Sequence, residues 1–145
     1  MSRITPTTLL EEAEDDLTID YTGDIGYQSS LQPKLFIKWA KLLKQETQKL
    51  RVLQIKAEKT KSDLWMYYTG KSNPDVYKNK PMDNRFLKSE VNDAISADSD
   101  WNKIKVDLML QEEIVDTLER IVQQIKDRAW SLKNIIEWKK FMAGE

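Results

Sequence analysis

Apolar side chains recur at alternating steps of three and four along two long stretches that contain no Gly or Pro. The first series runs Phe36, Trp39, Leu43, Glu46, Leu50, Leu53, Ala57, Thr60, Leu64 and Tyr67, and eight of its ten members are apolar or aromatic. The second runs Trp101, Ile104, Leu108, Gln111, Val115, Leu118, Val122, Ile125, Ala129, Leu132 and Ile136, and ten of its eleven members are apolar. Residues three and four apart share one face of a helix, so both series predict long amphipathic helices. A 3.5-residue period held this long also predicts packing at coiled-coil-like angles. At 1.5 Å per residue each helix would be about 50 Å long. That is more apolar stripe than a 17.0 kDa chain covers by itself. The pattern predicts an all-α fold and a homo-oligomer.

Breakers set the boundaries. Pro33 suits the first turn of a helix, where its missing N–H is no loss, and Gly70 suits a stop after Tyr68. Residues 70–83 read as a connecting loop, with Asn73-Pro74 and Lys80-Pro81 inside it. Asp83 is the candidate N-cap of a short helix to about Ala97, with Phe86, Leu87, Val91, Ala94 and Ile95 inward. Asp98-Ser99-Asp100 supplies either a new N-cap or an acidic patch on one continuous helix, and Gly144 ends the last helix. Residues 1–16, with the run Glu11-Glu12-Ala13-Glu14-Asp15-Asp16, read as a flexible acidic tail. Leu17, Ile19 and Tyr21 then read as extended or turn-like. Residues 17–145 read as a single helical domain.

Charge changes the picture. The net charge is −1, but Lys34–Lys88 holds 14 Lys/Arg against 5 Asp/Glu, while residues 1–33 hold 1 against 7. The same cationic window carries seven of the 13 aromatic residues. Clustered cations attract phosphates and aromatic faces stack unpaired bases, a combination suited to single-stranded nucleic acid. A lysine-rich solvated face over an aromatic core is the competing interpretation. The candidate contacts are Lys56, Lys59, Lys61, Tyr68, Lys71, Lys78, Lys80, Arg85 and Lys88. Tyr67 lies on the apolar stripe, whereas Tyr68 is turned away from it, so Tyr68 is the one expected to stack a base.

Composition removes other functions. The chain has no Cys and no His, which excludes disulfides, thiolate metal sites and the commonest general acid/base. Adjacent carboxylates such as Glu112-Glu113 diverge on a helix and do not converge on one ion. Tyr68-Thr69-Gly70-Lys71 falls far short of a phosphate-binding loop. No catalytic residue, metal or cofactor is expected, and no stretch approaches the length of a membrane span. The segment from Ala129 to Met142 spreads Trp130, Ile135, Ile136, Trp138 and Phe141 over more than one face, a candidate oligomerisation surface.

An ordered set of short matches also resembles a known family. It comprises Ile19-Asp20, Lys38-Trp39, Tyr67-Tyr68-Thr69-Gly70, Met82-Asp83, Lys88-Ser89-Glu90, Ser96-Ala97-Asp98 with Asp100, and the terminal Phe141-Met142-Ala143-Gly144. In order and spacing these resemble the UvsY recombination mediators of tailed phages, over roughly residues 17–145. The resemblance implies a non-catalytic protein that forms a ring or open barrel and binds single-stranded DNA. It further implies that the protein loads a RecA-like phage recombinase onto strands covered by the phage single-strand-binding protein, in the cytoplasm of the infected bacterium. The family's basic pair just before the double tyrosine is replaced here by Ser62-Asp63-Leu64, with Lys59 and Lys61 slightly upstream. A structural coiled-coil scaffold, such as a virion or chaperone component without DNA binding, is the alternative.

Overall fold

The computed structural model describes residues 4–82 and 84–145, which are helical apart from short connections. Among the described residues six helices follow one another: α1 (Pro6–Leu17), α2 (Ile25–Ser30), α3 (Gln32–Tyr68), α4 (Pro74–Asn79), α5 (Lys88–Ala97) and α6 (Ser99–Met142). The chain gathers into two compact units. One comprises Met1–Gln48 with Glu112–Glu145 and the other Lys49–Gln111.

The apolar period selects the core face. All ten positions of the first stripe are buried or half-buried, and in the second only Ala129 and Ile136 are exposed. Gly70, at φ 76°, closes α3 in the left-handed region that a Cβ would resist. The Lys71 amide donates to the Met66 carbonyl at 2.9 Å and the Gly70 amide to that of Tyr67 at 3.1 Å, the paired bonds of a Schellman ending. Gly144 closes α6 in the same way, with Glu145 donating to Lys140.

In the first unit, Trp39, Leu118, Ile121 and Ile125 form a core with Leu9 and Ala13 of α1. The acidic segment expected as a flexible tail is therefore helical from Pro6, while residues 1–3 lie outside the described residues. Two local features explain the difference. Thr5 and Thr8 form a reciprocal capping box in front of Pro6, which satisfies amides the first turn leaves unpaired. Leu9 and Ala13, four residues apart, then bury one narrow stripe while Glu11, Glu14 and Asp15 face out. Asp16 fixes the far end of α1: its Oδ2 accepts from the Trp39 indole at 2.9 Å and from Lys38 Nζ at 2.7 Å. Burial works against the Lys38 ammonium, but its bonds to Asp16 and Glu12 prevail and raise its pKa.

Arg128 is buried in this unit as well, and its Nη1 donates to the Gln28 carbonyl and to Oε1 of Gln32. The Gln32 side chain in turn donates to the Ile125 carbonyl. Burial lowers the Arg128 pKa, partly offset by Asp16.

In the second unit Leu64, Val91 and Ile95 form the core, with Tyr68, Phe86 and Trp101 packed against it. The expected loop contains α4, started by Asn73, whose side chain accepts from the Asp75 amide, and by Pro74 in the first turn. Asp83, the expected N-cap of the next helix, lies outside the described residues. Helix α5 begins at Lys88 behind Leu87, which makes no side-chain cap. Leu87, expected inward, is exposed instead. Asp98 resolves the alternative left open by sequence: α5 ends there, and its carboxylate starts α6 by accepting from the Asp100 and Trp101 amides.

Candidate nucleic-acid interface

The second unit, Lys49–Gln111, carries 12 Lys/Arg against 9 Asp/Glu and six of the aromatic residues. Lys56, Lys59, Lys61, Lys71, Lys78, Arg85 and Lys88 are all exposed on it. Their surroundings divide them. Lys56, Lys59, Lys71, Arg85 and Lys88 make no ion pair among the described residues, so their charge faces solvent uncompensated. Lys78 lies 4.0 Å from Asp75, a pair so exposed that it contributes little. Lys61 sits 5.9 Å above the Trp101 ring. Lys59 and Lys61, the two cations upstream of the double tyrosine, point to nearly opposite sides of α3, because two helical steps turn about 200°. They do not form one phosphate clamp.

Two of the candidate contacts are engaged inside the unit. Lys80 lies 3.8 Å from Asp98, 3.9 Å from Asp100 and 5.4 Å above the Tyr67 ring, while its carbonyl accepts from the Tyr67 hydroxyl. Its charge is committed to the start of α6. Tyr68 is half-buried, donates its hydroxyl to Asp98, and meets the Tyr67 and Phe86 rings edge-on at 5.0 and 5.3 Å. This geometry covers more of Tyr68 than its angle about α3 suggests. Tyr67 and Tyr68 do differ in their angle about α3, but α5 and Phe86 cover the second face too.

Tyr67 is buried and stacked on Tyr77 at 5.4 Å, and the Tyr77 hydroxyl donates to the Tyr67 carbonyl. Aromatic residues at the end of α3 are thus largely committed to packing. Trp65 differs, being 37% exposed. It lines a groove of about 340 Å³ between α3 and α5 with Glu58, Lys61, Ser62, Asn92 and Ile95. Asn92 is not among the residues expected from sequence, because a lone Asn on a helix belongs to no motif. Its only signal is its place one turn after Lys88 on the same face of α5.

The candidate assembly surface lies on the last turns of α6. Trp130, Ile136, Trp138 and Phe141 are exposed, and Ile135 is half-buried. The Trp138 and Phe141 rings stack on each other at 5.7 Å, and Lys133 covers Trp130 at 5.2 Å. Lys139 is turned back onto the unit, donating to the Tyr21 carbonyl and lying 4.8 Å over its ring. Among the described residues no group of His, Cys, Asp or Glu is arranged to hold a metal ion, and no helix is long and apolar enough to cross a membrane.

Exposed cations on a helical scaffold with an exposed apolar end suit a helical nucleic-acid-binding protein. Residues 12–145 match the family described as recombination, repair and ssDNA binding protein UvsY. The chain is also 32% identical over 140 residues to the recombination protein uvsY of Enterobacteria phage T4, covering 94% of this chain and 96% of the relative. The chain belongs to the UvsY family. It is a non-enzymatic recombination mediator of the single-strand-binding kind, and the alternative of a scaffold without DNA binding is set aside.

The fold agrees with crystal structures of the bacteriophage T4 recombination mediator protein UvsY. The type II lattice superposes with a TM-score of 0.85 at 23% identity, covering 97% of this chain and 99% of that one. The type IV lattice gives 0.83 at 22% identity, with 95% and 99% covered. The fold is all-α with long helices, as the apolar period predicts.

Proposed function

We propose that the exposed cations of the second unit hold the backbone of single-stranded DNA while copies of the chain assemble through the end of α6. The observation that carries the DNA surface is the set of solvent-facing cations without fixed counter-charges among the described residues: Lys56, Lys59, Lys71, Arg85 and Lys88. Cations already paired inside a protein release no counterions when DNA binds, and those facing water do. Lys80 and Tyr68, both tied to Asp98, act on the fold and leave the strand to their neighbours. Lys61 and Lys78 join the surface as secondary contacts.

Assembly through Trp130, Ile135, Ile136, Trp138 and Phe141 gives a ring or open barrel in which many weak strand sites act together. Linked sites raise avidity without any new interaction. Such an oligomer holds a strand covered by the phage single-strand-binding protein and hands it to a RecA-like phage recombinase, in the cytoplasm of the infected bacterium.

The test is the salt dependence of oligonucleotide binding. Lys59→Ala and Lys88→Ala each lower affinity for strands of any sequence. Each also flattens the plot of log K against log salt, by roughly 0.7 for every phosphate that is no longer neutralised. Lys80→Ala lowers thermal stability and leaves the slope nearly unchanged. An unaltered slope for both Lys59 and Lys88 variants would move the DNA to another surface.

A further inference from the structure

We propose that the groove between α3 and α5 seats one unstacked nucleobase of the bound strand, with Trp65 as its stacking face. This rests on the single-strand binding just described and adds a base-contacting site to a surface otherwise made of phosphate contacts.

Most aromatic residues of the second unit are already occupied. Tyr67, Tyr68, Tyr77 and Phe86 each touch another ring, and the three tyrosine hydroxyls each have a protein acceptor. Trp101 is half-buried against the core beneath Lys61. Trp65 has no ring partner and no hydrogen bond from its indole N–H among the described residues. It is also the one exposed aromatic residue of the unit. An indole left in water in a groove that Lys61 also lines serves packing poorly and stacking well.

The groove supplies the rest of a base site. On α3, Glu58, Lys61, Ser62 and Trp65 lie at steps of three and four and share one face. On α5, Asn92 and Ile95 do the same, and Lys88 stands one turn before Asn92 on that face. Ile95, 3% exposed, makes an apolar floor. The Asn92 amide and the Ser62 hydroxyl make no hydrogen bond within the described residues, so donor and acceptor groups face the opening. A base edge needs such a pair. Lys61 and Lys88 flank the opening as phosphate partners on either helix. Glu58 repels phosphate at its own end, so the strand's backbone keeps to the lysines and its base points inward. Because every base presents a π-face, the seat is tolerant of sequence.

The experiment compares two probes of equal length and charge, oligo(dT) and a strand of abasic deoxyribose phosphates. Against oligo(dT), Trp65→Ala weakens binding by about 5- to 150-fold, the range carried by one base–aromatic stack. Against the abasic strand, parent and variant bind equally. Trp65→Phe retains most of the oligo(dT) affinity because a ring remains, and Asn92→Ala gives a smaller, base-dependent decrease. Thermal melts of each variant establish that the fold persists. Equal losses on both probes, or no loss on either, would overturn the seat. If the parent itself fails to bind both strands, single-strand binding falls, and the seat falls with it.

Discussion

The phenol of Tyr68 donates a 2.6 Å hydrogen bond to Oδ2 of Asp98, 30 residues further along the chain. The other oxygen of that carboxylate accepts from the Asp100 and Trp101 amides and so starts α6. One buried side chain therefore holds the end of one long helix and the beginning of the other. The double tyrosine and the Ser96-Ala97-Asp98 motif, separate matches in the sequence, are two halves of a single contact.

Removing the donor tests this directly. Tyr68→Phe keeps the ring against Phe86 but leaves a buried carboxylate oxygen short of a partner, which costs roughly 1–3 kcal/mol. The variant should unfold at lower denaturant with an unchanged m-value, while its oligonucleotide affinity at low temperature stays near that of the parent. A variant that melts like the parent but binds weakly would return Tyr68 to the DNA surface.

Periodicity makes the long helices legible, because each stripe repeats often enough that its few polar members, Glu46 and Thr60 in the first and Gln111 in the second, do not obscure it. Helix α1 is not legible for the opposite reason: its stripe is two residues, Leu9 and Ala13, set among five acids. Lys38-Trp39 is visible as a match, but its partner Asp16 reads as part of a solvated run. At the site, exposure of the lysines follows from their residue type. Which of them are neutralised does not, since Lys80 meets Asp98 only when α4 and α5 bring the chain back. What packs on Tyr68 and what leaves Trp65 open is not legible, because the angle about α3 tells where a residue points, not what covers it.

The same contact sets a pH dependence. Burial pushes the Asp98 carboxyl up, but the Tyr68 hydroxyl, the Trp101 amide and Lys80 outweigh it and hold the group below the usual carboxylate range. A depressed folded value means stability that is present above about pH 4 and lost as the pH falls through that folded value. The Tyr68 hydroxyl is pushed the other way, upward, by burial and by Asp98. Its contribution is present below about pH 10 and disappears as the pH rises further. Unfolding free energies of the parent and Asp98→Asn should therefore converge as the pH drops from about 5 towards 2. Those of the parent and Tyr68→Phe should converge only in strong alkali. Parallel curves across both windows would show that neither proton is linked to folding.

Assembly can be tested without touching the core. A chain cut before Ala129 also loses Leu132, which is 1% exposed, and the Lys139 contact to Tyr21, so truncation mixes assembly with folding. Trp138 and Phe141 avoid that difficulty, because they stack only on each other and stand 52% and 70% exposed. Aromatic side chains bury large areas and dominate interfaces, whereas in an isolated subunit these two contribute little to stability. Trp138→Ser with Phe141→Ser should leave the helical circular-dichroism signal and its melting at low concentration nearly unchanged. The mass measured by light scattering should fall to a small oligomer or a single chain. Affinity for a long oligonucleotide should then drop far more than affinity for a short one, because only the long strand engages several linked sites at once. If the doubly substituted chain keeps the parent's mass, copies meet through another face and the exposed end of α6 serves a different partner.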